Sequence, residues 1–204
     1  MNEPSVAEQI FGDSYSLISR YVDILAGRGI DHGLIGPREA ERLWERHILN
    51  SAAIAPLISQ GSRVVDVGSG AGLPGLPLAI LRPDLDVTLL EPLLRRTRFL
   101  ADTVAELGLG NRVRVIRARA EDHRDRYDVV TARAVAPLGR LAPWCAPLLA
   151  RDGVVLALKG STAADEVDAA RDQLRRASLT ADLLDVTQDP LGDPSFVVRL
   201  APTR

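Results

Sequence analysis

Apolar positions recur at helical spacing from about Ser5 to Ala26 (Val6, Ile10, Leu17, Ile18, Tyr21, Val22, Leu25), which predicts an amphipathic helix. Gly27, Gly29 and Gly33 break that pattern. Gly36-Pro37 then opens a second helix, with Glu39 and Glu41 in its first turn and Leu43, Trp44, His47 and Ile48 on one face. A third short helical piece, 52–58, ends in Ser59-Gln60-Gly61-Ser62. From Arg63 the period changes. Strands are expected at 63–67, 86–91, 112–116, 127–132 and 154–158, with helices near 75–81, 93–107, 138–149 and 163–177 between or after them. Two last strands, near 181–187 and 195–200, flank Asp189-Pro190-Leu191-Gly192-Asp193-Pro194. Alternation of this kind predicts an α/β fold with a mostly parallel seven-stranded sheet, covered on both faces and ending in an antiparallel hairpin. Residues 1–61 are expected to form an N-terminal helical cap and 62–204 the main domain.

Composition narrows the classes. With 204 residues, 46% of them hydrophobic, the chain can bury one good core. A net charge of −2 offers no global basic field, so any nucleic-acid contact must be a local patch. The single cysteine, Cys145, forbids an internal disulfide and fits a reducing compartment. The start of the chain has no basic and then apolar leader, and the most apolar stretch, 73–81, is too short to span a bilayer. A cytoplasmic monomer without a metal is the expectation. Of the 25 basic residues only Lys159 is lysine, which marks a place where a compact ammonium could matter.

The chemistry lies at the strand ends. After the run Arg63-Val64-Val65-Asp66-Val67 comes Gly68-Ser69-Gly70-Ala71-Gly72-Leu73-Pro74-Gly75. Glycine permits positive φ and close approach of bare backbone to a ligand. Position 73 is Leu where a dinucleotide fingerprint has its third glycine, which disfavours a nicotinamide oxidoreductase. It favours S-adenosylmethionine, which has no pyrophosphate to seat. Glu91, at the end of the second strand, can accept two ribose hydroxyls. After the third strand, Ala120 and Glu121 can read an adenine edge, and Arg133 closes the fourth. Each of these alone has an ordinary reading as a tight turn or a solvated acid. Their succession at four strand ends points to a Rossmann-like methyltransferase.

Several segments resemble one family more closely. Leu43-Trp44-Glu45-Arg46-His47-Ile48-Leu49-Asn50-Ser51, the glycine segment 66–75, and Leu90-Glu91-Pro92 followed by Arg95-Arg96-Thr97-Arg98-Phe99-Leu100 are similar to the RsmG (GidB) family. So are Arg119-Ala120-Glu121, Ala132-Arg133-Ala134 and Ala157-Leu158-Lys159-Gly160. The resemblance runs from about residue 37 to 160. It implies methylation of N7 of one guanine in the 530 loop of 16S ribosomal RNA, with the RNA or the small subunit as partner. It also implies cofactor contacts at Gly68, Leu73, Ala120, Glu121 and Arg133, to which the glycine motif adds Ser69, Gly70 and Gly72. Arg46, His47 and Lys159 are implied near the guanine pocket.

Elimination agrees with that reading. Pyrimidine C5 methylation needs a thiol nucleophile, and Cys145, placed mid-helix beside Trp144, reads as core packing. The Asn/Asp-Pro-Pro-aromatic segment typical of exocyclic amine methylation is replaced by Ala132-Arg133-Ala134-Val135-Ala136-Pro137. One lysine cannot supply a lysine-rich set for ribose methylation. Guanine N7 carries its own in-plane lone pair, so the task is orientation and not proton removal. His47 is either a helix histidine satisfied by a neighbour or a reader of guanine O6; Lys159 is either a solvated strand end or a second such reader. For RNA phosphates the candidates are Arg95, Arg96 and Arg98, at the start of one helix, and the alternating Arg112, Arg114, Arg117 and Arg119. A small-molecule methyltransferase with a helical lid, and a non-catalytic nucleotide-binding module, remain the competing readings.

Overall fold

The computed structural model describes residues 3–187 and 195–203, with side chains described from Val6 onward. The turn-rich segment expected at 189–194 lies outside the described residues. Seven strands form one sheet: β1 (Arg63–Val67), β2 (Asp86–Leu90), β3 (Val113–Ile116), β4 (Tyr127–Arg133), β5 (Leu149–Lys159), β6 (Leu179–Asp185) and β7 (Phe196–Pro202). Their spatial order is β3-β2-β1-β4-β5-β7-β6. The first five pair in parallel; β7 runs antiparallel to both β5 and β6. The expected hairpin is therefore present, with β7 inside the sheet and β6 at its edge. Chain direction across the sheet reverses at β1 and β4, and ligands of open α/β sheets bind beyond the carboxyl ends at such a switch point.

Strand residues divide by parity between two cores. Val64, Val87, Leu89 and Val129 join one cluster, and Val65, Leu90, Val130 and Val155 join the other. Both faces of β1 are thus buried, with Asp66 the one acid among its valines, which is why its sequence is not an apolar–polar alternation. Helices α4 (Gly75–Leu81) and α5 (Leu94–Glu106) cover the first face; α6 (Leu138–Cys145), α7 (Ala163–Ala169) and α8 (Arg171–Arg176) cover the second. The N-terminal helices α1 (Glu3–Phe11) and α2 (Tyr15–Ile24) bury Phe11, Ile18, Tyr21 and Val22 in the same cluster as Leu76 and Leu89. One continuous apolar core thus joins the cap to the sheet. Among the described residues no helix is long and apolar enough to cross a membrane.

Local geometry departs from the periodic expectation in several places. The first helix is broken at Gly12, whose φ is +47°, and it continues past Ile24 as a π-helical turn, Leu25–Gly29. The second is a 3₁₀ stretch, Pro37–Arg42, that widens into a π-helical segment, Leu43–Leu49. In that wider coil residues five apart share a face, and Leu43 and Ile48 are both buried. Residues 50–52 form a short helix, α3 (Asn50–Ala52), at its end. Helix α6 stops at Cys145 ahead of Pro147, so Cys145 terminates the helix and does not sit in its middle. It is fully buried all the same, and burial pushes its thiol up to about 12. Strand β5 starts at Leu149, five residues earlier than expected, because Leu149 pairs with Tyr127 before a register shift. The expected helix 163–177 is divided at Ala170.

Candidate active site at the carboxyl ends of the strands

Two groups of residues gather at the switch point. The first is the glycine turn. Gly68, Gly70 and Gly72 have φ of +68°, +58° and +103°, a region a side chain rarely adopts. The amides of Gly68 and Ser69 donate to the Leu90 carbonyl at 2.8 and 3.2 Å, which ties the turn to the end of β2. The Glu91 carboxylate accepts from the amides of Gly70 and Leu93, at 3.0 Å each, and is 1% exposed. A carboxylate has about four acceptor sites, so each oxygen keeps one lone pair beyond these bonds. A Cβ at Gly70 would meet only the Gly68 carbonyl, at 3.8 Å, whereas one at Gly68 would lie 2.9 Å from Val135. Ser69 and Leu73 are buried within the turn. Ala120 is buried in a short turn after β3; Glu121 beside it is exposed.

Asp66 lies under this turn. Its Oδ2 accepts from the Gly75 amide at 3.0 Å, and its Oδ1 is buried without a partner. Burial raises its pKa from 3.8 to about 7, against the lowering effects of the Gly75 bond and the Arg133 charge. A raised carboxyl pKa means the folded state holds a proton that the unfolded chain has released. The resulting stability is complete below about pH 4 and is lost as pH rises through about 7. Wild type is therefore expected to lose melting temperature relative to Asp66→Asn between about pH 4 and 7. The difference reaches about 4 kcal/mol at most. Parallel curves in thermal melts across that range would remove the effect.

The second group is a cleft of about 660 Å³ between the cap and the tips of β4 and β5. Its walls include Glu39, Arg46, His47 and Asn50 from the cap and Arg133–Pro137, Lys159 and Glu166 from the main domain. Arg133 donates to the Arg46 carbonyl at 2.9 Å and to the His47 ring at Nδ1. His47 Nε2 lies 3.0 Å from Glu39, which also accepts from Arg46 at 2.9 Å. Lys159 is no solvated strand end: its side chain is 9% exposed. Its ammonium donates to the Ala136 carbonyl at 3.0 Å and to Glu166 at 2.6 Å. Glu166 also accepts from the Leu138 amide at 3.0 Å, so the loop after β4 is held at two points where it enters α6. Within that loop Ala134 has φ +54°, a left-handed conformation that costs a non-glycine residue about 1 kcal/mol. Val135 projects from it onto Gly68 and joins the cleft to the glycine turn.

Three of the four arginines expected to alternate along β3 have local partners; Arg119 is exposed. Arg112 donates to the Ala79 carbonyl, Arg114 pairs with Asp86 at 3.1 Å, and Arg117 reaches the Pro92 carbonyl at 3.3 Å. Arg95 and Arg98 are exposed on α5, with Arg96 half-buried and Arg95 bonded to the His32 carbonyl. Sequence reasoning missed Glu39, Asn50, Glu166 and Val135 as site residues. Glu39 and Glu166 stand eight and seven residues from His47 and Lys159, but in neither pair do the two residues belong to one regular element, so a helical period does not reveal the contact.

This strand order with an inserted antiparallel β7 is the Rossmann-like fold of S-adenosylmethionine-dependent methyltransferases. The solved methyltransferase SibL, in its apo form, superposes with a TM-score of 0.64 at 24% identity, over 82% of this chain and 58% of that one. TYW2 of M. jannaschii, in complex with AdoMet, gives 0.58 at 17% identity over 76% of each chain. Residues 14–189 match the model of GidB, rRNA small subunit methyltransferase G, and the chain belongs to that family. Relatives named ribosomal RNA small subunit methyltransferase G are similar over most of the chain. The one from Mycolicibacterium paratuberculosis is 52% identical over 90% of this chain and 75% of its own length. The Nocardioides relative is 53% identical over 97% and 80% respectively. S-adenosylmethionine is the cofactor of this class, and the site fits it: a glycine turn with one open face, an acid at the second strand tip and a half-buried cation at the end of β4.

Proposed function

We propose that the protein methylates N7 of one guanine in the 530 loop of 16S ribosomal RNA, using S-adenosylmethionine. The observation that carries this is the cleft beside the glycine turn: it has the volume of a small-ligand site and is walled by donors and acceptors from both cap and sheet. The cofactor supplies an electrophilic methyl on sulfur, and N7 accepts it with its own lone pair as the carbon–sulfur bonding pair returns to sulfur. No proton acceptor is required, which agrees with a cleft whose groups are already committed to one another. Cys145, fully buried with its thiol pushed up, is unsuited to nucleophilic attack.

In this reading Gly68–Leu73 line the methionine portion, Glu91 takes the ribose through its remaining lone pairs, and Ala120 and Glu121 border the adenine. Arg133 meets the cofactor, and His47 and Lys159 border the guanine. Positive charge passes from sulfur to the purine, so the Ala136 carbonyl and Glu39 are the groups suited to stabilise it. Transfer of labelled methyl into purified small subunits, with mass mapping of the modified nucleotide, tests the proposal. Label appearing only in a metabolite extract would overturn it.

RNA binding in this reading rests on Arg95, Arg96 and Arg98, beyond the arginines already spent on β3. Aromatic residues are 4% of the chain, too few for base stacking to dominate. Affinity for the RNA is expected to fall steeply with salt in a filter-binding titration, by roughly tenfold or more from 50 to 200 mM. A flat titration would contradict phosphate-led binding.

A further inference from the structure

Glu39 stands at the start of two routes that end on one guanidinium. Arg133 can only donate, so the His47 Nδ1 that it meets is an acceptor and the ring hydrogen sits on Nε2. Burial, then the Arg133 charge, lowers the His47 pKa from 6.5 to about 4, so the ring is neutral and one nitrogen is free to accept. Nε2 lies 3.0 Å from Glu39 Oε2, the acceptor that this tautomer requires. The other Glu39 oxygen takes Arg46 Nη1 at 2.9 Å, and the Arg46 carbonyl accepts from Arg133 Nη1 at 2.9 Å. Both routes grip Nη1 and Nη2 of the fork. Arg133 Nε–H has no partner among the described residues.

We propose that Glu39 is a positioning residue for methyl transfer: through His47 and Arg46 it fixes the direction in which Arg133 presents its remaining donors, Nε–H among them, to the cofactor. The proposal rests on the reading of Arg133 as a cofactor contact. Its physical basis is preorganisation: a fork held along one edge loses less freedom when its other edge binds. A Glu39 that merely paired with Arg46 at the surface would contribute little, and nothing of it would pass through Arg133.

The test is calorimetric binding of S-adenosylmethionine to the full chain, a readout independent of which RNA is methylated. Glu39→Ala is expected to weaken binding about tenfold, while Glu39→Gln, which keeps an acceptor for Nε2–H, stays within about threefold. In an Arg133→Ala background Glu39→Ala is expected to have no further effect. If that background binds too weakly to measure, Arg133→Lys, which has no fork, takes its place. Should Glu39→Ala fail to fold, Glu39→Asp withdraws the acceptor while retaining the charge. Equal weakening in both backgrounds, or none in the wild-type background, overturns the proposal. Wild type that does not bind S-adenosylmethionine overturns the functional reading itself, a different and separately visible result.

Discussion

Arg133→Ala is expected to reduce kcat/KM for methyl transfer by roughly 100-fold or more, about 3 kcal/mol, with most of the loss appearing in cofactor affinity. The change removes a half-buried cation whose donors satisfy the Arg46 carbonyl and the His47 ring, and whose charge favours the ionised form of its neighbour Asp66. Truncation leaves those acceptors without their donor inside the cleft. Arg133→Lys is expected to recover only part of the loss, because an ammonium keeps the charge but cannot span two acceptors on one rigid plane. Cofactor calorimetry and steady-state turnover on purified subunits measure the two components. Unchanged affinity and turnover in Arg133→Ala would take the residue out of the site.

Gly75→Ala is expected to be a strongly damaging single-methyl addition near the site, and its effect is on stability. An added Cβ would lie 2.4 Å from Leu89 Cδ2 and 2.9 Å from Asp66 Oδ2. Leu89 is fully buried in the sheet and cannot swing away. Helix α4 must then shift, and the 3.0 Å bond from the Gly75 amide to Asp66 lengthens with it. Overpacking and the weakened bond together cost about 3 kcal/mol, or roughly 6–12 °C in melting temperature for a chain of this size. Gly110→Ala is the control: nothing lies within 4 Å of its Cβ, so its melt is expected to match wild type or to rise slightly. Equal melting temperatures for the two variants would show that α4 is free to move.

Much of the architecture was legible before any coordinates. The β-branched run into Asp66, the glycines after it and Glu91 at the next strand end marked one side of the site, and the structure brings them together through the Gly70–Glu91 bond. The broken helices were not legible: a π-helical widening at Leu43–Leu49 changes which residues share a face, and no 3.6-residue period announces it. Arginine spacing along β3 shows which face a side chain takes but not that the Ala79 carbonyl and Asp86 lie within reach of Arg112 and Arg114.

What the sequence determined by itself is the succession of elements and the chemistry at each strand tip. Periodicity, glycine and proline act over a few residues, and backbone conformation is set on that scale. What only the tertiary structure decided is which tips face each other. Arg133 meets His47 across 86 residues of chain, and Val135 meets Gly68 across the sheet's switch point. Those meetings follow from strand order and from burial of the cap on the sheet, which are long-range consequences of packing. No local pattern encodes them.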